Sequence, residues 1–542
     1  MDGFLFPAGN GPSALILSYI LHGHIPLYDT ASPHPDHLLH EKLLGSGHDL
    51  LNLDIDALTD HFAASRFSYS TQALPVNVLL DTLVRPLGET DDAQKKTCIK
   101  WHHDSSRAVS HVVIGDANRA GGQWVDNPVH ANLGIGTLSY AGMISLPGYA
   151  FDHHYQRRHG APMPIYLRPS RREVADYLAA YPDQVGISES FLNGQQVSQV
   201  CRRGEGFFIA SHNIYCGNLI LASGIFSELI SPPPLLSPLD NFSDIHSHAS
   251  SDPLLIIGSG FSAADVILSN PPSRKIIHIY KWAPATSPSP LRACHQQAYP
   301  EYAGIYRRMK LAALSSSQAK DKRPKPRHSY SDFDLSRDWS STYEGLPNAE
   351  IVNAELTDDG TGAVVTFRIG SGQPFERKVS SLAYVVGRRG SLKYLSPSLL
   401  REVLPVNDSA SKSAGGRISG QTLREKANED LEVAPHVFVI GSLTGDSLIR
   451  FAYGGCAYAA GKIMQHSSKA EDISRGQNTT DKANSSNGVG VRVFLRESNN
   501  SSRCQTPSPR IPAMNGLDGH EASPMSLLEK YCLSLDRRKE SD

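Results

Sequence analysis

Two glycine-rich turns carry the clearest chemical signal in the chain. The first is Gly9-Asn10-Gly11-Pro12-Ser13-Ala14; the second, about 250 residues later, is Gly258-Ser259-Gly260-Phe261-Ser262-Ala263-Ala264-Asp265. Each follows a short apolar run and precedes a helix-like one. In such a turn the first glycine permits a sharp change of direction. The second lets the backbone approach a pyrophosphate, and the helix that follows presents free N–H groups and the positive end of its dipole. Ala14, small like the third glycine it replaces, still allows helix and strand to pack closely. Gly9, Gly11, Ser13 and Ala14 are therefore expected on one dinucleotide, and Gly258, Gly260 and Ser262 on another. One such turn also arises by chance. Two in one chain suggest two dinucleotides, and the usual reason to hold two is to pass a hydride from a nicotinamide to a flavin.

The flanking residues sharpen the two assignments. Asp29 closes an apolar run, residues 25–28, and lies twenty residues after Gly9, where an acid accepts hydrogen bonds from ribose hydroxyls. No acid closes the corresponding run in the second unit. Lys281 stands there instead, which suits a 2′-phosphate and favours NADP over NAD; a solvated lysine at a strand end is the competing reading. Gly121-Gly122-Gln123-Trp124 follows a good strand at 110–115. Its paired glycines allow a backbone turn beside a flat cofactor, with Trp124 as a rigid wall, although a Gly-Gly turn with a core tryptophan would look the same.

These turns need strands and helices to hold them. Residues 4–8, 14–21 and 25–28 read as strand, helix and strand, with Pro7 an unusual guest in the first. Residues 254–257, 263–268 and 275–280 repeat the pattern. Helices are expected around 75–83 and 171–181, a hairpin within 198–214, and strands at 218–224 and 436–441, the last followed by a helix from Gly454 to Met464. Residues 352–368 and 378–387 suggest antiparallel strands. Residues 231–238 read as a proline-rich connector, and 315–340 and 409–428 as polar loops. The expected fold is α/β, with two Rossmann-like, three-layer ββα domains. Residues 1–230 and 396–465 form a FAD domain split around an NADP domain at 231–395, and a disordered tail occupies 466–542.

Length and composition allow this and exclude other classes. A chain of 542 residues accommodates two or three domains. A net charge of −2 with no basic stripe gives no case for nucleic acid. The seven cysteines form no CxxC pair, which argues against zinc and for a reducing compartment. No apolar run approaches the ~20 residues that span a bilayer. A soluble, cytoplasmic protein is expected. No metal-ligand spacing, Ser–His–Asp order or paired-carboxylate site stands out, and the adjacent pairs His102-His103 and His153-His154 diverge too much to share an ion.

Taken in order, GxGxxA, GGxW, LASG (221–224), GxGxSAxD and the segment GDSLIRFAYGG (445–455) resemble class B flavin-dependent monooxygenases. The finer similarity is to the oxidative stress-induced growth inhibitor family. It is carried by HVVIGDANRAGGQW (111–124), LILASGIF (219–226), LLIIGSGFSAADVIL (254–268), YPEYAGIYRRM (299–309) and GDSLIRFAYGG. It spans roughly residues 4–465. The resemblance implies FAD at the first turn and NADPH at the second. It further implies a flavin C4a-hydroperoxide, formed with dioxygen, that oxygenates a small or lipophilic substrate. In that reading Asp446 takes a ribityl hydroxyl, the helix from Gly454 points its dipole at the flavin, and Arg450 stabilises charge there as the catalytic residue. The monooxygenase fingerprint expected before the second turn is reduced to FSDIHSH (242–248), without its glycine and Tyr-Lys end. Two alternatives remain beside oxygenation. One is an NADPH-flavin oxidase releasing hydrogen peroxide; the other is a non-catalytic growth or stress regulator whose tail engages a protein partner.

Overall fold

A computed structural model describes residues 5–477 apart from 46–47, 67–68, 71–72, 89–95, 128, 130, 243–251, 318–336 and 406–415. The strand Leu5–Ala8 lies at the centre of a six-stranded sheet. On one side it pairs in parallel with Val113–Gly115, which pairs with Phe191–Asn193. On the other it pairs with Asn218–Leu221, then Val437–Val439, with Glu432–Ala434 antiparallel at the edge. Chain from both ends of the described region thus builds this sheet, because the run at 437–439 returns to it after the second unit.

The second sheet has four parallel strands in the order Tyr343–Pro347, Ile276–Tyr280, Leu254–Ile257, Ser381–Tyr384. Both sheets are apolar on two faces and are covered on both. The first has helices on one face and the antiparallel strands Val200–Arg203, Gly206–Ile209 and Ile214–Cys216 on the other. The second has Phe261–Ser269 and Pro300–Ser317 on one face and Ala349–Leu356, Ala363–Ile369 and Phe375–Val379 on the other. Two three-layer ββα units result, as the sequence predicts.

The helix Pro12–Leu21 is buried all round from Ala14 to Leu21, between the first sheet and the closing helix Tyr453–Gln477. Its one buried polar side chain, Ser18, is satisfied by His111 Nε2 at 2.8 Å. The closing helix runs beyond residue 466, where the tail was expected to begin. Residues 478–542 and most of 242–248 lie outside the described residues.

Several expected elements changed. The proline-rich connector is a 3₁₀ turn over Pro234–Phe242. The polar stretch at 409–428 contains the strand Arg417–Ile418 and the helix Arg424–Glu429. The larger change concerns His24–Tyr28. It does not join the first sheet beside Leu5–Ala8 but pairs antiparallel with Ile99–His103. The intervening segment contributes the helices His37–Gly45, Ile55–Ala64 and Pro75–Val84, and leucines 50, 51, 79, 80 and 83 lie in the core of the first unit. Among the described residues no helix is long and apolar enough to cross a membrane.

Candidate functional site

The two turns are built alike. Gly9 has φ +121° and Gly258 φ +153°, a region that L side chains rarely adopt. A Cβ on either would run into a backbone carbonyl at the end of the neighbouring strand, Ala222 for Gly9 and Val385 for Gly258. The second glycines behave oppositely. A Cβ on Gly11 would meet nothing within 4 Å, and one on Gly260 only Pro290 Cγ at 3.9 Å. Each second glycine is the N-cap of its helix, and neither helix start receives a side-chain cap. Both turns therefore offer what a pyrophosphate requires: open space over a glycine and unpaired N–H groups at a helix N-terminus.

In the first unit the structure gathers Gly9, Gly11, Ser13, Ala14, Gly121 and Gly122. Gly121 N–H donates to Asn10 O at 2.8 Å, and a Cβ on Gly122 would stand 3.0 Å from Gly11 Cα. Asn10 is buried, and its Nδ2 donates to Ala117 O at 2.9 Å and Asn193 Oδ1 at 2.8 Å. Ser13 stands against Gly441, and Ala14 is fully buried under the sheet. Trp124 is half-buried against the helical core.

Asp29 is not part of this group, which corrects the ribose assignment. Its strand lies outside the sheet, and its carboxylate accepts the Ala31 N–H at 3.1 Å, closing its own turn. The strand that follows the first helix and lies parallel to Leu5–Ala8 is Val113–Gly115. The residue just past its end is Asp116, which is exposed. The signal was present in the sequence as an apolar run ending Gly-Asp a few residues before Gly121. Twenty-residue spacing pointed elsewhere because the segment between helix and partner strand is so long.

The second unit keeps its predicted geometry. Leu254–Ile257, the turn, Phe261–Ser269 and Ile276–Tyr280 form a contiguous parallel βαβ, and Gly258 N–H donates to Ile279 O at 3.0 Å. Ser262 is half-buried in the first turn of the helix, and Lys281 is exposed at the end of the partner strand. A cleft of about 560 Å³ is lined by Trp282, Arg292, Tyr306 and Lys310 among others, but not by Lys281. Its two cations and two aromatic rings suit a phosphorylated nucleoside. Arg292 and Lys310 were missed because they come from other elements, a 3₁₀ turn and the helix Pro300–Ser317.

Among the contacts between the units are those of the loop after Gly122. Gln123 Oε1 accepts from Arg388 Nη1 at 3.3 Å, Asn127 Oδ1 accepts from the same nitrogen at 3.1 Å, and the guanidinium lies 4.9 Å from the Phe226 ring. Asp265, on the helix after the second turn, accepts from Tyr302 Oη at 2.8 Å. Burial raises its carboxyl pKa to about 6, against the opposing pull of Tyr302, Arg171 and Arg388.

The third predicted group is occupied by protein. The Asp446 carboxylate accepts from Leu74 N–H at 2.9 Å, Asn77 Nδ2 at 2.7 Å and Arg424 Nη1 at 2.6 Å. Gly455 N–H, at the start of the closing helix, donates to Asn77 Oδ1 at 2.8 Å. Gly454 lets that helix start pass against Val76 O, where a Cβ would not fit. Arg450 is paired with Asp81, its Nε 3.0 Å from Oδ2. Asp446 and Arg450, expected at the ribityl chain and the flavin, both hold the helix Pro75–Val84 against the closing segment.

No known family profile matches the chain. Human oxidative stress-induced growth inhibitor 1 is 26% identical over 503 residues, covering 84% of this chain and 94% of that protein. Human oxidative stress-induced growth inhibitor 2 is 24% identical over 517 residues, covering 82% and 90%. Among solved structures, a flavin-containing monooxygenase from Stenotrophomonas maltophilia overlaps with a TM-score of 0.42 at 16% identity, over 87% of this chain and 99% of that one. Ornithine hydroxylase from Pseudomonas aeruginosa does so at 0.42 and 14%, over 86% and 100%. The similarity to the oxidative stress-induced growth inhibitors thus extends over most of the chain.

Proposed function

We propose that the chain is an NADPH-dependent FAD monooxygenase that oxygenates a small or lipophilic substrate with dioxygen. The observation that carries the proposal is the matched pair of turns, bridged by the loop that sets Gly122 against Gly11 and Gln123 against Arg388. In this reading Gly11, Ser13 and the N–H groups of Pro12–Leu21 hold the FAD pyrophosphate, and Asp116 holds the ribose beside it. Gly260 and Ser262 hold the NADPH pyrophosphate, and Lys281 binds the 2′-phosphate. FAD, when bound, supplies acceptance of a hydride from NADPH and activation of dioxygen. The chain's own contribution would be to hold one nucleotide at each turn and to position the two turns through the Gly121–Trp124 loop and its contact with Arg388. The division into a split FAD domain (1–230 and 396–465) around an NADP domain (231–395) belongs to the same proposal.

A second reading, a regulator that keeps the fold without catalysis, is favoured by one observation. Asp446 and Gly455 N–H, the contacts expected for the flavin's ribityl chain and ring, are already paired with protein groups. The growth-inhibitor names of the relatives agree with it. The visible absorption spectrum of the purified protein decides between them. Flavin bands, with NADPH oxidation coupled to substrate oxygenation, support the first. A colourless protein that gains no colour with added FAD rejects it. Flavin bands with NADPH consumed entirely to hydrogen peroxide would identify an oxidase instead.

A further inference from the structure

Away from both turns, at the edge of the first sheet, three residues with metal-ligand chemistry meet. They are Glu432 on the edge strand, His436 in the turn that follows it, and His466 near the middle of the closing helix. One ligand atom from each lies within 4.8 Å of the other two, and all three residues are half-buried. The imidazoles stand 4.8 Å apart between centroids, at 68°. We propose that Glu432, His436 and His466 form a binding site for a borderline divalent cation of the zinc type, with a fourth position left to water.

Three features of the surroundings support this. His436 adopts φ +60°, disfavoured for a non-glycine residue, and its ring stands against that of His466 on the closing helix. Its Nδ1 lies 3.2 Å from Asn218 Oδ1, so an N–H donated there fixes the ring and leaves the lone pair on Nε2. Glu432 Oε1 accepts the His436 backbone N–H at 2.7 Å, which orients the carboxylate and leaves Oε2. Outer partners of this kind are how proteins aim metal ligands. Two imidazoles and one carboxylate select zinc or copper(II) over calcium or magnesium, which prefer all-oxygen shells. The nearby cations are engaged: Lys462 lies 3.8 Å from Asp430, and Arg202 pairs with Glu402. The sequence gives no sign of the site, because Glu432 and His436 are spaced unlike any common motif and His466 lies thirty residues further on. An ion here would clamp the middle of the closing helix to the sheet edge.

The test uses the full chain, freed of metal by chelation, with Co²⁺ as a spectroscopic probe and Zn²⁺ as competitor. One equivalent of Co²⁺ should give visible d–d bands that Zn²⁺ abolishes, and Zn²⁺ should raise the melting temperature. His466→Ala, Glu432→Gln and His436→Asn, each altering a direct ligand, should each weaken binding at least roughly 10-fold, the lower end of the loss seen for outer partners. Asparagine keeps tolerance of the left-handed backbone at 436. His466→Ala should also lose the Zn²⁺-dependent thermal shift while its metal-free melting temperature stays unchanged, which separates ligand loss from misfolding. Absence of Co²⁺ uptake by the wild-type chain, or uptake undiminished in the three variants, would overturn the proposal.

Discussion

The two glycine turns begin alike and are completed differently. In the second unit the strand, turn, helix and partner strand follow one another without interruption, so Lys281 stands where its spacing places it. In the first, about ninety residues separate the helix from its partner strand, and the acid at the end of that strand is Asp116 rather than Asp29. The comparison teaches that a spacing rule reads chain distance, whereas a nucleotide site is defined by sheet position. The rule holds only where nothing intervenes between helix and strand.

The strongest test of this comparison lies at the second glycines. Gly11→Val should abolish flavin retention with little change in melting temperature, because its side chain enters space that no protein atom occupies. Gly260→Val should spare flavin and abolish NADPH binding. Loss of both ligands in either variant would break the assignment of one nucleotide to each turn. The first glycines should behave oppositely. Gly9→Ala or Gly258→Ala should destabilise by about 1–3 kcal/mol from backbone strain alone, more with the carbonyl clash, read by denaturant unfolding.

A smaller effect distinguishes the two candidate acids. Asp116→Asn should weaken FAD roughly tenfold, as expected for the loss of a charged hydrogen bond, and Asp29→Asn should leave FAD binding unchanged. The reverse result in flavin titrations would restore the spacing rule. Smaller still, Lys281→Ala should raise the Kd for NADPH roughly fivefold and leave NADH unaffected, since exposed charge pairs contribute little each.

The smallest effect is a pH dependence confined to the second unit. The Asp265 carboxyl is raised to about 6 when folded, so the folded state binds its proton more tightly than the unfolded chain does. Its contribution to stability is therefore full below about pH 4 and lost as pH rises through about 6. Asp265→Asn, which can still accept from Tyr302, should match wild type at pH 4 and melt higher above pH 6. Equal melting temperatures across that range would mean that Asp265 ionises freely.

Most of the architecture was legible because it rests on local patterns. Short apolar runs ending in glycine gave the central strands, and the capping box of Ser170 and Glu173 marks the start of Arg171–Val185. The candidate site was legible where a turn carries its own chemistry, as at Gly9–Ala14 and Gly258–Ser262. It was not legible where chemistry depends on which remote group arrives. Asp446 and Arg450 looked free for a cofactor in the sequence. Nothing local shows that Asn77, Asp81 and Arg424 come from distant segments to pair with them. Arg292 and Lys310 escaped notice for the complementary reason, since each is an ordinary surface cation until the fold sets it in one cleft with Trp282 and Tyr306.

The buried amide of Asn10 has a further consequence. Its bonds to Ala117 and Asn193 strap the first turn to the strand end that bears Asp116, and Gly115 makes the room for it. The proposed phosphate cradle and the proposed ribose acceptor are thereby one piece before any ligand arrives. A nucleotide docking there has little loop freedom to freeze, so its affinity should register mostly in slow departure rather than in a search for the closed form.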